Sequence, residues 1–572
     1  MKGLKKNWLC KVLLTSSFYL LNIGYSQAAT EVLVPPSPFK GLSGLAFDTQ
    51  GQLYTGSVAD QRIYRVNVET GEFDIFIGRP QGQADDFVFT PSGQVFYTAL
   101  LNGEVRSFDP QTGSVTNVAS GIPLVDAIAL NKDGRLFAGQ SLSPDATGLF
   151  EIDQTGVNPP RLITNQLGLN AFIFGADGLL YSPGQFTGEI VKINVETGVS
   201  EQVASNLGVP IAVKFNSKGE LFALDTLTGQ VLQVDATTGQ AKIISQLQPG
   251  IDNLAFAPND LMYVNNFVDS DIIEVNTETG TTRTVIDSVG LTAPGGIAVF
   301  DDALYVADTN SYRVLNRETG SIEQTLANIV TPVQNPLNIS VNEENTIISS
   351  WFANSVQRLN RETGEVLNTY TDFGLPYDAI ELQDDSILVA DCGLGQITQI
   401  LDESGNNRRT IASDLLCPTG LATIDKDTIL VTESLGNQLS QIDLMTGERQ
   451  VIATGLSSPE GVAYHPDGIA IVADVGEQSI KAIDIKTGNK RNIKQNLPIG
   501  LEGFPGGPPP YGFTGIALAD DTVYVSGDID NSIRTFKLDK SVLSIPESSS
   551  PTSLLALGTI GMVLALTKKL KR

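Results

Sequence analysis

Acidic and amide side chains recur at one position of a repeated pattern in this sequence, and they are the residues best suited to chemistry. In the first half of the chain this position holds Ser43, Asp85, Asp126, Asn170, Ile211 and Asp252. In the second half it holds Gly295, Leu337, Asp378, Thr419, Glu460 and Thr514. Carboxylate and amide oxygens are hard ligands that suit Ca²⁺ or Mg²⁺. The pattern therefore predicts divalent-cation chemistry, provided that the fold brings equivalent positions together.

The amino-acid composition disfavours most other kinds of catalytic and metal chemistry. His465 is the one histidine of the chain and lies in the turn sequence AYHPDG. Ser-His-Asp and Cys-His mechanisms and His-rich metal sites are therefore not expected. No phosphate-binding loop or dinucleotide fingerprint is present. The sequence assigns no catalytic residue.

The elements that position these residues follow from a second repeat, a polar pair followed by glycine. It appears first as Glu69-Thr70-Gly71 and recurs about every 42 residues, for example as Glu318-Thr319-Gly320 and Glu362-Thr363-Gly364. Between successive copies the sequence alternates short apolar strands with turns and shows no helical period. Four short strands per repeat are typical of a β-propeller blade.

Twelve such blades are predicted, and the fold class is all-β with tandem β-propellers. Propellers have four to eight blades, so two six-bladed rings are favoured, with seven plus five as the alternative. The predicted domains are a first ring over residues 29–280 and a second over 281–540. Ring closure by strand exchange is expected, with Thr30 to Val34 completing the sixth blade and Thr281 to Asp287 completing the twelfth.

In this fold the repeated polar position lies at the top face, where the loop before the first strand meets the loop after the second. We predict that a metal, with Ca²⁺ as the cofactor, is bound by residues from this position. The candidate ligands are Asp85, Asp126, Asn170, Asp252, Asp378 and Glu460. We call the top opening of each ring its mouth. At the mouth of the first ring, the carboxylates of Asp85, Asp126 and Asp252 would repel one another if no cation were bound. The alternative is that each carboxylate caps its own turn and points aside.

Several phrases carry a family resemblance. ADTNSYRVLN, ADVGEQSIKAID and GDIDNSIRTF resemble the NHL repeat, and PEGVAYHPDG and PGGIAV resemble the superfamily of gluconolactonases and streptogramin lyases. The resemblance spans about residues 30–540. It implies a propeller whose metal is held by a Glu, an Asn and an Asp; Glu460 matches the Glu, and Asn170 or Asp378 could match the others. No ring shows all three in the family's order, and no histidine matches that of the lyases.

Both ends of the chain predict export. Residues 1–28 look like a signal peptide, with four lysines before an apolar run from Val12 to Ile23 and cleavage after Ala28. Residues 541–572 resemble a PEP-CTERM sorting signal, although Ser548 stands where its usual second proline would be. That resemblance implies cleavage or anchoring at the cell envelope. The alternatives are a permanent N-terminal anchor and a simple tail anchor.

The predicted location is therefore the periplasm, the outer envelope or the extracellular space, with membrane contact only through the tail before processing. A net charge of −27 disfavours nucleic acid as a partner. In such an oxidising compartment Cys392 and Cys417, in neighbouring top loops, are expected to form a disulfide. The long loop from Pro498 to Gly512 is expected to carry Phe504 and Tyr511 over the mouth of the second ring.

Three functions remain open. The first is an exported, envelope-associated module that binds or scaffolds through its top faces, with an unknown protein, a polysaccharide or a small molecule as the partner. The second is a divalent-metal-dependent hydrolase of lactonase type. The third is an accessory factor in maturing a secreted small molecule. Whether the protein is an enzyme is left open by the sequence.

Overall fold

The computed structural model describes residues 30–143, 146–288 and 290–539. The predicted signal peptide and sorting tail lie outside these ranges. The described residues form twelve four-stranded antiparallel sheets, as the sequence predicted, and their helical segments are the 3₁₀ turns Leu100–Asn102 and Val475–Glu477. No helix in the described ranges meets the length and hydropathy needed to cross a bilayer.

The chain opens with β1 (Glu31–Val34) and then builds the first six blades. Blades 1 to 3 contain β2 (Leu45–Phe47), β3 (Leu53–Ser57), β4 (Arg62–Val66), β5 (Phe73–Ile77); β6 (Ala84–Phe89), β7 (Val95–Ala99), β8 (Glu104–Asp109), β9 (Ser114–Ala119); and β10 (Val125–Leu130), β11 (Leu136–Ser143), β12 (Ala146–Ile152), β13 (Arg161–Thr164). Blades 4 to 6 contain β14 (Ile173–Phe174), β15 (Leu180–Gly184), β16 (Glu189–Ile193), β17 (Ser200–Ala204); β18 (Pro210–Phe215), β19 (Leu221–Asp225), β20 (Gln230–Val234), β21 (Ala241–Gln246); and β22 (Ile251–Phe256), β23 (Met262–Asn266), β24 (Ile272–Val275), β25 (Thr282–Ile286).

The second six blades follow the same plan. Blades 7 to 9 contain β26 (Ile297–Phe300), β27 (Ala303–Asp308), β28 (Ser311–Asn316), β29 (Ile322–Ala327); β30 (Asn338–Val341), β31 (Asn345–Ser350), β32 (Ser355–Asn360), β33 (Val366–Tyr370); and β34 (Pro376–Glu381), β35 (Ile387–Asp391), β36 (Gln396–Ile400), β37 (Arg408–Ala412). Blades 10 to 12 contain β38 (Pro418–Asp425), β39 (Thr428–Glu433), β40 (Gln438–Asp443), β41 (Arg449–Thr454); β42 (Pro459–His465), β43 (Ile469–Asp474), β44 (Ser479–Asp484), β45 (Lys490–Lys494); and β46 (Ile516–Ala519), β47 (Thr522–Gly527), β48 (Ser532–Lys537).

The twelve blades close as two rings of six. The inner strand of blade 1, β2, contacts β22 of blade 6, and β26 of blade 7 contacts β46 of blade 12. Apolar side chains fill the space between neighbouring blades, and one such cluster joins Leu45 and Tyr64 of blade 1 to Tyr263 and Ile286 of blade 6. The core of each ring is therefore a set of wedges between sheets, with the polar channel at its axis.

The recurring Glu-Thr-Gly phrase is the turn between the third and fourth strands. In blade 1 the Asn67 side-chain oxygen accepts the backbone N–H groups of Glu69 and Thr70, and Gly71 takes a φ of 73°. A Cβ on Gly71 would lie 2.5 Å from the carbonyl oxygen of Val285, on β25 of blade 6. Glycine is needed twice over here, because the turn requires a positive φ and the next blade leaves no room for a side chain.

The predicted strand exchange is wrong in both rings. β25 pairs with β24 in its own sixth blade, whereas β1 pairs with β48 and completes the twelfth blade. The sixth blade closes through its own local hairpin, which costs little loop entropy. Among the described residues no strand follows β48 to cover the edge of the twelfth blade, and β1 covers it. Thr282–Ile286 therefore belongs to the first ring and Glu31–Val34 to the second, unlike the boundaries predicted at 280 and 281.

Candidate functional site

The top faces of the two rings are turned toward each other. The Arg313 guanidinium, at the top of blade 7, donates a 2.8 Å hydrogen bond to the carbonyl oxygen of Val268 in blade 6. The Gln61 amide in blade 1 donates to the carbonyl oxygen of Glu502 in the long loop before blade 12, at 2.9 Å. Between the faces lies a cavity of about 540 Å³. The site is therefore shared by both propellers.

The floor of this cavity is the mouth of the first ring. All six residues that the repeat placed before its first strands line the cavity, namely Ser43, Asp85, Asp126, Asn170, Ile211 and Asp252. Of the six equivalent residues in the second ring, Gly295 and Leu337 line it. The rest of the wall is mainly apolar and includes Leu100, Leu101, Phe267, Trp351, Tyr511 and Phe513. A polar floor thus faces an apolar roof.

Three β-bulges aim the floor carboxyl groups at the axis. In blade 2, Ala84 pairs with Ala99 and Phe87 with Tyr97, so Asp85 and Asp86 together stand opposite one residue of β7. The strands β10 and β22 contain the same bulge, which includes Asp126 and Asp252 respectively. A bulge turns a strand locally and redirects its side chains. We call Asp85, Asp126 and Asp252 the carboxyl cluster.

Burial raises the pKa of every member of the carboxyl cluster. For Asp126 the pKa lies well above its ordinary value, first because of burial and then because of the Asp85 charge. For Asp252 burial again comes first, followed by the charges of Asp85 and Asp86. Asp85 and Asp126 are neighbours, and the negative charge of Asp85 disfavours ionisation of Asp126. The three groups are therefore not all ionised together.

Hydrogen bonds satisfy the members of the cluster unequally. Asp126 accepts a hydrogen bond from the Ser141 hydroxyl. Within the described ranges, no side-chain or backbone donor reaches the Asp252 carboxyl. Asn170 bonds through its amide to Gln185 at 3.2 Å and accepts from the backbone N–H of Ala171 at 2.7 Å. Asp252 thus offers open acceptors to the cavity.

Asp378 and Glu460 lie in the second ring, outside the cavity wall. Asp378 accepts the backbone N–H of Leu421 in the next blade at 2.7 Å, and Glu460 accepts that of Thr514 at 2.6 Å. Burial raises the pKa of Asp378 to about 7, while burial and then the Asp528 charge raise that of Glu460 well above its ordinary value. These two groups tie neighbouring blades together, and the structure does not bring them to the first-ring candidates.

The carboxylates at the ends of the second strands hold loops in place. Asp391 accepts the backbone N–H groups of Gly374 and Leu375 at 2.7 and 2.8 Å. Asp528 accepts those of Gly500 and Leu501 at 2.8 and 2.7 Å. The same arrangement involves Asp308, Glu433 and Asp474. Each of these side chains therefore points back to the loop that precedes the first strand of its own blade.

No set of three His, Cys, Asp or Glu residues in the described ranges is arranged to hold a metal ion. The predicted Ca²⁺ site therefore stays a prediction. His465 lies at the opposite end of β42 from the top face, where its Nδ1 accepts the backbone N–H of Asp467 at 3.1 Å. It has the position of a turn residue, as its sequence context indicated.

The long loop over residues 498–512 separates the second mouth from the cavity. Tyr511 lines the cavity, its ring lies 5.5 Å from that of Phe504, and both side chains are buried. The Tyr377 hydroxyl donates to the carbonyl oxygen of Pro510. Cys392 and Cys417 form a disulfide with an S–S distance of 2.07 Å, and the carbonyl oxygen of Pro509 lies 3.0 Å from the Cys417 sulfur. The loop thus rests on the disulfide and presents its aromatic rings near the cavity.

Sequence reasoning missed that the second ring supplies the roof. Trp351 directly follows β31, and nothing in the local sequence shows that it faces the other ring across the cavity. Lys40, in the segment between β1 and β2, also lines the cavity and was not predicted. The only sequence feature that could have pointed to Lys40 is its position between the apolar residues Phe39 and Leu42.

Solved structures similar to this chain include β-propeller proteins. A streptogramin B lyase has 15% identity over 49% of this chain and 94% of its own, with a TM-score of 0.36. A putative gluconolactonase has 12% identity over 46% and 93%, with a TM-score of 0.36. The extracellular domain of a putative one-component system from B. thetaiotaomicron has 11% identity over 80% and 72%, with a TM-score of 0.27.

The predicted resemblance to propellers of this kind is confirmed at the level of fold, which rests on the sheets and ring contacts described above. No protein-family profile matches the chain, and a comparison with curated proteins finds no match.

Proposed function

We propose that this is an exported protein that binds a small, largely apolar molecule between the top faces of its two propellers. The observation that carries the proposal is the cavity of about 540 Å³ between the two faces, with the first-ring mouth as its floor. Mainly apolar pockets of this size, with a few polar groups, are typical of small-molecule sites. Export rests on the terminal segments predicted from the sequence.

The facing rings favour a small ligand over a large partner. A protein or a polysaccharide that used the mouths would have to pass between two propellers joined by the Arg313 and Gln61 contacts. At the cavity, the side chains of Leu142, Phe186 and Phe352 are 40, 44 and 40% exposed. Apolar side chains in contact with solvent at a cavity wall suit the entry of an apolar molecule.

Trp351 allows a direct test. In a full-length Trp8→Phe protein it is the single tryptophan and lines the cavity. Addition of 1-naphthalenemethanol is expected to change Trp351 fluorescence in a saturable way. Ala293→Phe, which adds a ring at the cavity wall, should weaken binding at least tenfold, whereas Ala241→Phe, on the exposed outer strand β21, should not. Absence of saturable binding to the Trp8→Phe protein would contradict the proposal.

A further inference from the structure

The charged groups around the cavity are unbalanced. Its wall contains four acids, Asp85, Asp126, Asp252 and Asp528, and one base, Lys40. Lys40 and Asp528 lie near each other, and the Lys40 amine donates to the side-chain oxygen of Asn531. Asp528 is also held by two loop N–H groups, as described above. The second-ring side of the wall therefore satisfies its own charges.

The carboxyl cluster has no such partner. Among the residues that the structure describes, no Lys or Arg forms an ion pair with Asp85, Asp126 or Asp252. Lys214, the base deeper in the first ring, is attracted by Asp86 and donates to the carbonyl oxygen of Phe172 at 3.3 Å. Asp86 is itself engaged by the backbone N–H of Ile128 and the amide of Asn253, both at 3.3 Å. The carboxyl groups at the cavity floor thus have no cationic protein partner within the described residues, and a cationic ligand would favour their ionisation.

The roof above the carboxyl cluster has the opposite character. Leu337, Trp351, Tyr511 and Phe513 present apolar surface to the same cavity. A ligand that fills the space must therefore place an apolar body against these side chains and a polar group at the floor. An ammonium group carries three donors and no acceptor, which suits carboxyl groups with open acceptors such as Asp252.

We propose that the cavity selects an amphipathic cation, an amine whose ammonium group lies at the carboxyl cluster and whose apolar body lies under Trp351 and Tyr511. The inference rests on the proposed function and adds the chemical class of the ligand. A bound ammonium favours the ionised forms of the carboxyl cluster, because an opposite charge nearby lowers the pKa of a carboxyl group. An anion of the same shape meets repulsion at the floor.

Three naphthalene compounds of nearly equal size test the inference on the full-length Trp8→Phe protein. They are 1-naphthylmethylamine as the cation, 1-naphthalenemethanol as the neutral compound and 1-naphthoate as the anion. By Trp351 fluorescence and calorimetry, the amine should bind at least tenfold more tightly than the alcohol, and the anion most weakly. Equal affinity for all three, or preference for the anion, overturns the inference while leaving the proposed function intact. Binding of none of them counts against the proposed function itself.

A double variant, Asp126→Asn with Asp252→Asn, locates the selectivity. The amine should lose its advantage over the alcohol, whatever the change in the affinity for the alcohol itself. Asp133→Asn, at an exposed turn of the same blade as Asp126, is the matched control and should keep the advantage. An unchanged advantage in the double variant overturns the inference. So does CaCl₂ that raises the melting temperature and displaces the amine, because a metal ion would then occupy the cluster.

Discussion

At the scale of single residues, position relative to the cavity decides what each buried carboxyl group contacts. Members of the carboxyl cluster lie beside a cavity and can contact a ligand, whereas Asp378 and Glu460 accept hydrogen bonds from backbone N–H groups of the next blade. The residue types are the same in both cases. Glu460 lies at the second mouth, which the loop over residues 498–512 covers. Asp378 has the strand register of Asp86, which likewise accepts a backbone N–H of the next blade.

Asp378→Asn is expected to remove a pH-dependent destabilisation of the folded state. The pKa of Asp378 is about 7 when folded, against an ordinary value of 3.8, so the folded state binds more protons between these values. Stability therefore falls as pH rises through that window. The difference in the free energy of unfolding between the variant and the wild type should therefore grow by about 2 to 3 kcal/mol, in favour of the variant, as the pH is raised from 5 to 8.5. Urea unfolding at each pH measures this; a constant difference across the range would refute the expectation.

At the scale of elements, β1 is a fourth strand supplied from the far end of the chain. Val34 of β1 is 2% exposed and packs with Ile297 of blade 7 and Ile533 of blade 12. A Cβ on Gly320, in blade 7, would lie 2.4 Å from the carbonyl oxygen of Leu33. The turn of blade 7 therefore rests on β1, just as that of blade 1 rests on β25.

Val34→Ala should destabilise the second ring by roughly 1 to 3 kcal/mol, because it removes two buried methyl groups from the seam that closes the ring. Val32→Ala is the matched control, since Val32 lies in the same strand and is 51% exposed. Thermal unfolding monitored by calorimetry distinguishes the two variants. Equal effects of both substitutions would mean that β1 does not seal the twelfth blade.

The disulfide between Cys392 and Cys417 closes a loop across neighbouring blades and supports the loop over residues 498–512. With 25 residues between the two cysteines, its removal by paired Cys→Ser substitutions should cost roughly 3 kcal/mol on the chain-entropy view. Thiol labelling of the denatured full chain without reductant should find one free thiol, that of Cys10. Three labelled thiols would show that the disulfide is absent.

At the scale of the whole molecule, the cavity depends on how two similar rings are set face to face. The Arg313 side chain is 3% exposed, is paired with Asp308 at 2.7 Å, and reaches across to Val268 and Asp269 of the first ring. It is therefore both a part of the second ring and a clamp between the rings. The cavity exists only while such contacts hold the faces together.

Arg313→Ala should weaken the second ring by about 3 to 5 kcal/mol and also separate the faces, because it leaves Asp308 without its partner and removes the bridge to Val268. Arg358→Ala is the control: Arg358 pairs with Glu381 within the second ring and is comparably buried. Small-angle scattering should show a larger radius of gyration for Arg313→Ala alone. The same radius of gyration for both variants would argue against a role of Arg313 in holding the two rings together.

Much of this architecture could be predicted from the sequence because its causes are local. The turn at Gly71 needs a positive φ, the strands alternate within each repeat, and the position that holds Asp85, Asp126 and Asp252 recurs with the blades. These features act over a few residues and leave a periodic trace. They are sufficient to predict twelve blades, two rings, and the side chains that form the floor of the cavity.

The tertiary structure alone decided which edges meet. β1 pairs with a strand about 500 residues away, and its own sequence suits the sixth blade as well as the twelfth. Likewise, the repeat aligned Asp378 with Asp85, but the strand register places it at the position of Asp86, which also accepts a backbone N–H of the next blade. Trp351 belongs to the roof only because the second ring faces the first. Such outcomes depend on which distant surfaces remain uncovered once the local hairpins have formed, and long-range pairing of that kind leaves no periodic pattern in the chain.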